Sequence, residues 1–188
     1  MLDTEVYSNT GGQSSKSSNA GSIASFTTSG KRTSKKDLAR IAMSYKNAYV
    51  AGISLGANMM QVIKTLKEAN DYPGPSIVIA YCPCISHGIK GGMSNSVSME
   101  KLAVDCGYFP TFRRHPINGF TLDSKKVDFE LFEEFLDLQT RYSMLDKVND
   151  NFKELLEQTK KDAMERYEYY SSLQKVGSMS SSVGGTKN

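Results

Sequence analysis

The sequence predicts an α/β fold with a mainly parallel sheet, followed by an α-helical extension at the C-terminus. Residues 48–53 and 76–81 are short apolar runs without polar alternation, which is typical of strands covered on both faces, as in a parallel sheet. Stretches with apolar side chains at helical spacing separate these runs. From residue 128 onward only helical spacing is found, so the sheet is expected to lie before that point.

The first part of the chain alternates between strands and helices. Residues 1–6 are predicted to end a strand, and residues 14–33, rich in Ser, Gly, Thr and Lys, to form a long loop. A helix is expected over residues 35–45, because Ser34 and Asp37 form a start that resembles a capping box. The remaining expected elements are a strand at 48–53, a helix from 59 to 70, a strand at 76–81, a helix from 99 to 106 and a strand at 108–113.

The second part of the chain carries the helical extension. Residues 1–127 are assigned to the α/β domain and residues 128–175 to the extension. Within the extension, the spacing of apolar side chains predicts one long amphipathic helix over residues 141–174. Packing of this helix on its own domain and a role as a dimer or interdomain arm are both open. The Ser- and Gly-rich segment 176–188 is expected to be a disordered tail.

Composition places the chain among globular proteins. Of its 188 residues, 39% are hydrophobic and 23% are charged, which is sufficient for one sizeable core. The net charge of +3 is too small to indicate a nucleic-acid surface. No apolar run is long enough to cross a bilayer, and the N-terminus lacks the basic and apolar regions of a secretory signal. We therefore expect a cytoplasmic protein without nucleic-acid or membrane partners, or one in a hydrogenosome-like organelle if the source is an anaerobic eukaryote.

The three cysteines, Cys82, Cys84 and Cys106, do not form the pattern of a disulfide scaffold. Three thiols also cannot supply all four ligands of an iron–sulfur cluster, so most ligands of any cluster would come from elsewhere. Cys84 follows a predicted buried strand, at the edge of the sheet where ligands bind, and precedes a glycine-rich loop. A plain buried thiol is the alternative for Cys84, and Cys106 is interpreted as a core residue of a helix.

The N-terminal segment 3–13 combines the end of a strand with glycine, hydroxyl and amide residues. Glycines let the backbone approach a phosphate, and short polar side chains offer hydrogen bonds without bulk. Thr4 and Asn9 also offer the oxygen ligands that Mg²⁺ prefers. An ordinary turn has the same composition, so the residue types alone leave both interpretations open.

The order of residues in this segment is more specific than its composition. Asp3 to Lys16, with the sequence DTEVYSNTGGQSSK, resembles the second half of the thiamine diphosphate-binding motif of pyruvate:ferredoxin (flavodoxin) oxidoreductases. Further matches to this family follow in the family's order at residues 72–81, 83–85, 87–93 and 120–125. The resemblance covers residues 3–125 and implies that the sheet is the C-terminal part of a thiamine diphosphate-binding domain. The loop over residues 14–33 is then expected to wrap around the active site.

The resemblance assigns roles to individual residues. It implies that the Thr4 side chain and the Val6 carbonyl bind Mg²⁺. It implies that Asn9 is a catalytic residue near the thiazolium, where an amide stabilises a carbonyl oxygen that gains negative charge. It also implies that Cys84 is one ligand of a [4Fe-4S] cluster. The expected cofactor-binding residues are Thr4, Glu5, Val6, Tyr7, Ser8 and Asn9.

The activity implied by the resemblance is oxidative decarboxylation of pyruvate with coenzyme A to acetyl-CoA and CO₂. Electrons pass through [4Fe-4S] clusters to ferredoxin or flavodoxin, and a homodimer is expected. The family's Gly-Asp-Gly motif, which would lie about 30 residues earlier, is absent, so we expect the C-terminal piece of a longer enzyme, or a truncated gene product, that is inactive alone. The alternatives are another 2-oxoacid oxidoreductase and a non-catalytic interaction module that acts through the long helix.

Two further features have competing interpretations. His87 is interpreted as a structural hydrogen-bonding residue, with a general base as the alternative. Lys31, Arg32, Lys35 and Lys36 form a basic run. A solvated face is expected for this run, and a docking patch for an acidic electron carrier is the alternative.

Overall fold

The computed structural model describes the backbone of residues 1–182 and the side chains of residues 1–175. Its strands are β1 (Leu2–Asp3), β2 (Val6–Tyr7), β3 (Gln13–Ser14), β4 (Tyr49–Ile53), β5 (Ser76–Tyr81), β6 (Phe112–His115) and β7 (Gly119–Leu122). Its helices are α1 (Leu38–Met43), α2 (Met59–Asp71), α3 (Ser96–Asp105), α4 (Phe132–Asp137), α5 (Thr140–Ser143) and α6 (Phe152–Ser182). Short 3₁₀ turns at Met93–Asn95 and Phe129–Leu131 precede α3 and α4, and one at Leu145–Lys147 follows α5.

The main sheet has five strands in the order β1-β5-β4-β6-β7. β1, β5 and β4 are parallel, with Asp3 beside Tyr81 and Ile53 beside Ala80. β6 runs antiparallel to β4 and β7 antiparallel to β6, so all strands of this sheet except β6 point in one direction. The predicted α/β class with a mainly parallel sheet is confirmed.

The strand predicted at residues 108–113 differs from the structure. It begins at Phe112 and forms a hairpin with β7, which the prediction lacked. Gly107, with φ +77°, turns the chain after α3, and pairing with β4 starts only at Phe112. Residues 116–118 form the turn between β6 and β7, and Gly119, with φ +83°, pairs with His115 as the first residue of β7. A three-residue hairpin loop followed by a glycine in the left-handed conformation is a common hairpin type.

The other helices of the α/β domain agree with the prediction to different degrees. α2 matches closely, and α3 begins about a turn earlier than expected. α1 is shorter than the predicted helix over residues 35–45, because its N-cap is Asp37 and not Ser34. The Asp37 Oδ1 atom accepts a hydrogen bond from the Arg40 amide at 3.0 Å, as a capping carboxylate does.

The long helix predicted over residues 141–174 begins later, at Phe152. α5 and a 3₁₀ turn occupy residues 140–147 instead. The Asn149 side chain accepts a hydrogen bond from the Asn151 amide at 2.8 Å. Local bonds of this kind compete with a continuous helix, so the polar residues before Phe152 mark the true start.

The far end of α6 reaches Ser182, so the helix enters the segment 176–188 that was expected to be a disordered tail. Residues 183–188 of that segment lie outside the described residues. Among the described residues, no helix combines the length and apolar character needed to cross a membrane.

α6 belongs to the same core as the sheet. Ala163 is fully buried, and the Tyr170 ring stacks on the Phe112 ring of β6 with 4.5 Å between centroids. The Leu122 amide of β7 donates to the Gln174 side chain at 2.7 Å. Of the two interpretations left open by the sequence, the structure thus favours a helix packed on its own domain.

The two faces of the sheet are covered unequally. The larger core cluster includes buried residues from β4, β5, β6, β7, α1, α3, α4, α5 and α6. On the other face, α2 packs Val62 against Ile53 and Ala80. Residues on both sides of the expected boundary at 127 therefore share one core.

Candidate functional site

The segments that carry the motifs meet at one edge of the sheet. β1 and β5 are parallel neighbours, and Asp3 and Tyr81 pair at their carboxyl ends. Residues 4–13, which follow β1, are called the cofactor loop below, and residues 82–92, which follow β5, are called the cysteine loop. The carboxyl edge of parallel strands is where ligands bind in open α/β sheets. The fold therefore places the two predicted binding segments side by side.

The cofactor loop and the cysteine loop contact each other directly. The Ser86 hydroxyl donates to the Ser8 carbonyl oxygen at 3.3 Å. Gly12 has φ +76°, and a Cβ atom there would lie 2.8 Å from the Cε1 atom of His87. Glycine at this position therefore lets the backbone of the cofactor loop pack closely against His87 of the cysteine loop.

The two expected Mg²⁺ ligands converge within the cofactor loop. The Thr4 hydroxyl donates to the Val6 carbonyl oxygen at 3.2 Å and lies 3.1 Å from the Ser8 hydroxyl. Octahedral Mg²⁺ binds oxygen at about 2.1 Å, so neighbouring ligands lie about 3 Å apart. The Thr4 and Val6 oxygens therefore have the chemistry and the spacing of adjacent ligands on one Mg²⁺ ion.

Glu5 lies between these two ligands and turns its carboxylate into the protein, where it is 2% exposed. The carboxylate lies 3.1 Å from the Lys35 ammonium and 2.5 Å from the Arg141 guanidinium. It also accepts hydrogen bonds from the Tyr108 hydroxyl at 2.7 Å and the Asn19 amide at 2.9 Å. Burial would raise the pKa of Glu5, but the charges of Lys35 and Arg141, together with the hydrogen bonds, lower it to about 2.

The remaining polar residues of the cofactor loop face outward. Tyr7 is 61% exposed, Asn9 is exposed and Ser8 is half-buried. They lie where the chain turns from β2 to β3, and the Gly12 amide closes this turn on the Tyr7 carbonyl at 2.9 Å. The side chain of Asn9, the expected catalytic residue, is therefore on the open side of the loop.

Cys84 lies under the cofactor loop, in a small buried cluster with Val6 and Ala24. Its Sγ atom is 3.4 Å from Nδ1 of His87, in keeping with a structural hydrogen bond between the two side chains. Burial and the charge of Arg141 lower the pKa of His87, which favours the neutral ring. In the part of the chain that the structure describes, no group of three or more His, Cys, Asp or Glu side chains could hold a metal ion.

The other two cysteines differ from Cys84. Cys106 is fully buried and bonds to the Ala103 carbonyl at 3.7 Å, so its interpretation as a core residue is confirmed. Burial raises the pKa of Cys106 to about 12, which keeps it an unreactive thiol. Cys82 is half-buried, and burial also raises its pKa.

The basic run differs from the expected solvated face at two positions. Lys31 is buried, and its ammonium group donates to the Ser18 carbonyl oxygen within the same loop. The Lys35 ammonium is buried as well and lies 2.7 Å from the Asp3 carboxylate. Arg32 and Lys36 are exposed, as expected. The solvated-face prediction is thus wrong for Lys31 and Lys35. Lys35 is a buried counter-ion for the Asp3 and Glu5 carboxylates, whereas Lys31 donates to backbone carbonyl oxygens.

The buried partners of Glu5 were not found by sequence reasoning. Asn19, Tyr108 and Arg141 lie 14, 103 and 136 residues from Glu5 along the chain. In the sequence, Asn19 lies in the loop predicted over residues 14–33, Tyr108 in the strand predicted at 108–113 and Arg141 in the helix predicted over 141–174. No periodicity or motif marked them, since their role depends on contacts between distant segments.

Several known proteins are similar to this chain. It is 48% identical over 162 residues to a mitochondrial pyruvate dehydrogenase (NADP⁺) of Euglena gracilis. This alignment covers 83% of the chain and 9% of that protein. It is 46% identical over 177 residues to a pyruvate-flavodoxin oxidoreductase of Klebsiella pneumoniae, covering 90% of the chain and 15% of the relative. It is 45% identical over 180 residues to a pyruvate:ferredoxin oxidoreductase of Moorella thermoacetica, covering 92% of the chain and 15% of the relative.

No family model matches the chain. The chain spans 9–15% of the length of these three relatives. Within that span, its identity to them is high and extends over most of its own residues. The chain is therefore homologous to a segment of the pyruvate:ferredoxin and pyruvate-flavodoxin oxidoreductases, and the family resemblance of its motifs is confirmed.

Proposed function

We propose that the chain is the C-terminal part of the thiamine diphosphate-binding domain of a pyruvate:ferredoxin (flavodoxin) oxidoreductase. The reaction is the oxidative decarboxylation of pyruvate with coenzyme A to acetyl-CoA and CO₂. The observation that carries the proposal is the meeting of the Thr4 and Val6 oxygens with the buried Cys84 at one sheet edge. The names of the relatives supply pyruvate, ferredoxin and flavodoxin.

The residues of the cofactor loop have three tasks in this proposal. The Thr4 hydroxyl and the Val6 carbonyl hold Mg²⁺, whose charge offsets that of a diphosphate. Thiamine diphosphate, when bound, supplies the nucleophile and the electron sink for the 2-oxoacid. The Asn9 amide donates a hydrogen bond to a substrate oxygen as that oxygen gains negative charge. Tyr7 and Ser8 contribute to the same outward surface of the loop.

Cys84 binds one iron of a [4Fe-4S] cluster in this proposal, close to the cofactor loop. Such a cluster takes electrons one at a time and passes them toward ferredoxin or flavodoxin. The other three cluster ligands and the Gly-Asp-Gly half of the cofactor site come from other parts of the enzyme. A homodimer is part of the same proposal, on the strength of the family resemblance.

The direct test is the mass and cofactor content of the native protein, detected in its source cells through this chain. A large subunit that contains iron and thiamine diphosphate is the expected result. A species near 20.7 kDa with neither cofactor would overturn the proposal. The isolated chain is expected to show no turnover with pyruvate, coenzyme A and an artificial acceptor, and turnover would contradict its assignment as one part of the site.

Substitutions in the complete enzyme separate the two halves of the proposal. Thr4→Val is expected to weaken Mg²⁺ binding while iron content is unchanged, because it removes one oxygen ligand. Cys84→Ala is expected to lower iron content while thiamine diphosphate binding is retained. Cys106→Ala is the matched control, since this thiol lies in the core and donates to the Ala103 carbonyl. Full iron content in the Cys84→Ala enzyme would refute the cluster assignment.

A further inference from the structure

Arg141 of α5 is a fully buried cation that no motif assigns to the site. Its Nη2 atom donates to Oε2 of Glu5 at 2.5 Å, and its side chain is 2% exposed. Both Nε and Nη2 also donate to the Gln139 side-chain oxygen, at 3.1 and 2.6 Å. These bonds fix the plane of the guanidinium and aim it at the cofactor loop.

The backbone around Arg141 reaches two other segments of the site. The Ile23 amide, in the loop over residues 14–33, donates to the Arg141 carbonyl at 2.8 Å. The Lys90 amide of the cysteine loop donates to the Leu138 carbonyl at 2.8 Å. Residues 138–141 thus contact the cofactor loop, the loop over residues 14–33 and the cysteine loop at once.

Glu5 is the part of the cofactor loop that most needs such support. Its φ of +67° is a conformation that residues with a side chain seldom adopt. This reversal of the backbone brings the Thr4 hydroxyl to the Val6 carbonyl oxygen. Ser15 and Ser18 donate to the Glu5 carbonyl, so both ends of the residue are held. Whatever fixes Glu5 therefore fixes the two oxygens expected to bind Mg²⁺.

The charges around Glu5 give Arg141 a role that the other partners do not share. The Lys35 ammonium is divided between the Asp3 and Glu5 carboxylates. Arg141, in contrast, forms its ion pair with Glu5 alone among the described residues. Without Arg141, two buried carboxylates would compete for one ammonium, and Glu5 would lose its fixed position.

We infer that Arg141 is a positioning residue for the Mg²⁺ and thiamine diphosphate site, acting through Glu5 on the Thr4 and Val6 oxygens. The inference rests on the proposed function, since it takes that site as the one that is positioned. The side-chain bonds of Arg141 go to Glu5 and Gln139, so its effect is expected on the affinity and geometry of the site and not on the chemical step. The helical extension thereby contributes to a cofactor site that lies mainly in the α/β domain.

The test uses the complete enzyme, purified without air, stripped of metal and supplied with thiamine diphosphate. Mn²⁺ replaces Mg²⁺, and its affinity is measured from the electron paramagnetic resonance signal of free Mn²⁺. Arg141→Met is expected to weaken Mn²⁺ binding about 10- to 100-fold, the usual effect of removing a residue that orients a metal ligand. Arg113→Met is the matched control, because Arg113 forms partly buried ion pairs with Asp123 and Glu68 on the antiparallel side of the sheet.

A milder pair of variants covers the case in which Arg141→Met does not fold. Tyr108→Phe removes the hydrogen bond to Glu5 without unpairing a charge, and is expected to weaken Mn²⁺ binding by roughly three- to tenfold. Tyr170→Phe removes a comparable bond from a buried tyrosine to Asp37 and is expected to leave Mn²⁺ binding unchanged.

The outcomes separate the inference from the proposed function. If the unaltered enzyme binds no Mn²⁺ in the presence of thiamine diphosphate, the proposed function fails. If it binds Mn²⁺ and the Arg141 and Tyr108 variants bind equally well, the positioning role fails. An equal loss in the Arg113 or Tyr170 control also overturns the positioning role, since the effect would then be one of general stability.

Discussion

Glu5 keeps its charge in the interior because its partners replace water. Two cations and two neutral donors surround the carboxylate, so the loss of hydration is offset and the pKa falls to about 2. In the unfolded chain, a glutamate has a pKa near its ordinary value of 4.5. Folding therefore favours the ionised form, and the stability gained in this way is present above pH 4.5 and lost as the pH falls toward 2.

Replacing Glu5 by Gln is expected to remove this pH dependence. The difference between the two pKa values corresponds to about 3 kcal/mol of unfolding free energy at neutral pH. Urea unfolding of the chain, followed by circular dichroism between pH 7 and pH 3, measures it. Glu154→Gln, at an exposed position of α6, is the control and should follow the unaltered chain. A Glu5→Gln chain with an unchanged pH profile would show that the buried ion pairs contribute nothing net.

Asp37 joins α1 to α6. Its carboxylate caps α1 by accepting from the Arg40 amide at 3.0 Å. The same carboxylate accepts from the Tyr170 hydroxyl of α6 at 2.8 and 2.9 Å. One side chain thus both starts a short helix and holds the long helix against it.

Asp37→Ala is expected to lower the unfolding free energy by about 2–4 kcal/mol, the sum of a lost cap and a lost charged hydrogen bond. Asp37→Asn retains a capping oxygen and should cost less. A double-mutant cycle of Asp37→Ala with Tyr170→Phe, followed by urea unfolding, should give a coupling of about 1 kcal/mol. Equal destabilisation by Ala and Asn, with no coupling, would contradict the double role of Asp37.

Elements with a strong local pattern were predicted well, and those that depend on distant contacts were not. The apolar run of β5 and the periodic pattern of α2 match the structure, since burial on both faces or on one stripe leaves a local signature. The predicted start of α6 is too early, because the apolar spacing continues through α5. The structure instead separates α5 from α6, and Arg141 of α5 forms an ion pair with Glu5. The site shows the same division: Thr4, Val6 and Cys84 lie within motifs, whereas Lys35 is recognisable only from its ion pairs with Asp3 and Glu5.

The extension after residue 127 completes the core of the α/β domain. Tyr108 packs against Phe135 of α4 with 4.4 Å between ring centroids. Phe112 stacks on Tyr170 of α6. The sheet face that these residues cover would otherwise be open to water, which costs roughly 25 cal/mol for each Å² of apolar surface left uncovered.

A chain cut to residues 1–127 is therefore expected not to fold cooperatively. It would expose the aromatic face of the sheet. It would also leave the buried Glu5 carboxylate without Arg141, and loss of one partner from a buried ion pair typically costs about 3–5 kcal/mol. The lost ion pair alone is comparable to the lower end of the total stability of a typical domain, about 5–15 kcal/mol, and the exposed apolar surface adds to this cost. Circular dichroism and limited proteolysis of the fragment measure the outcome, and co-expression with residues 128–188 should restore a protease-resistant fold. A cooperative unfolding transition in the fragment alone would show that the extension is an independent unit and that the Arg141–Glu5 pair is dispensable for folding.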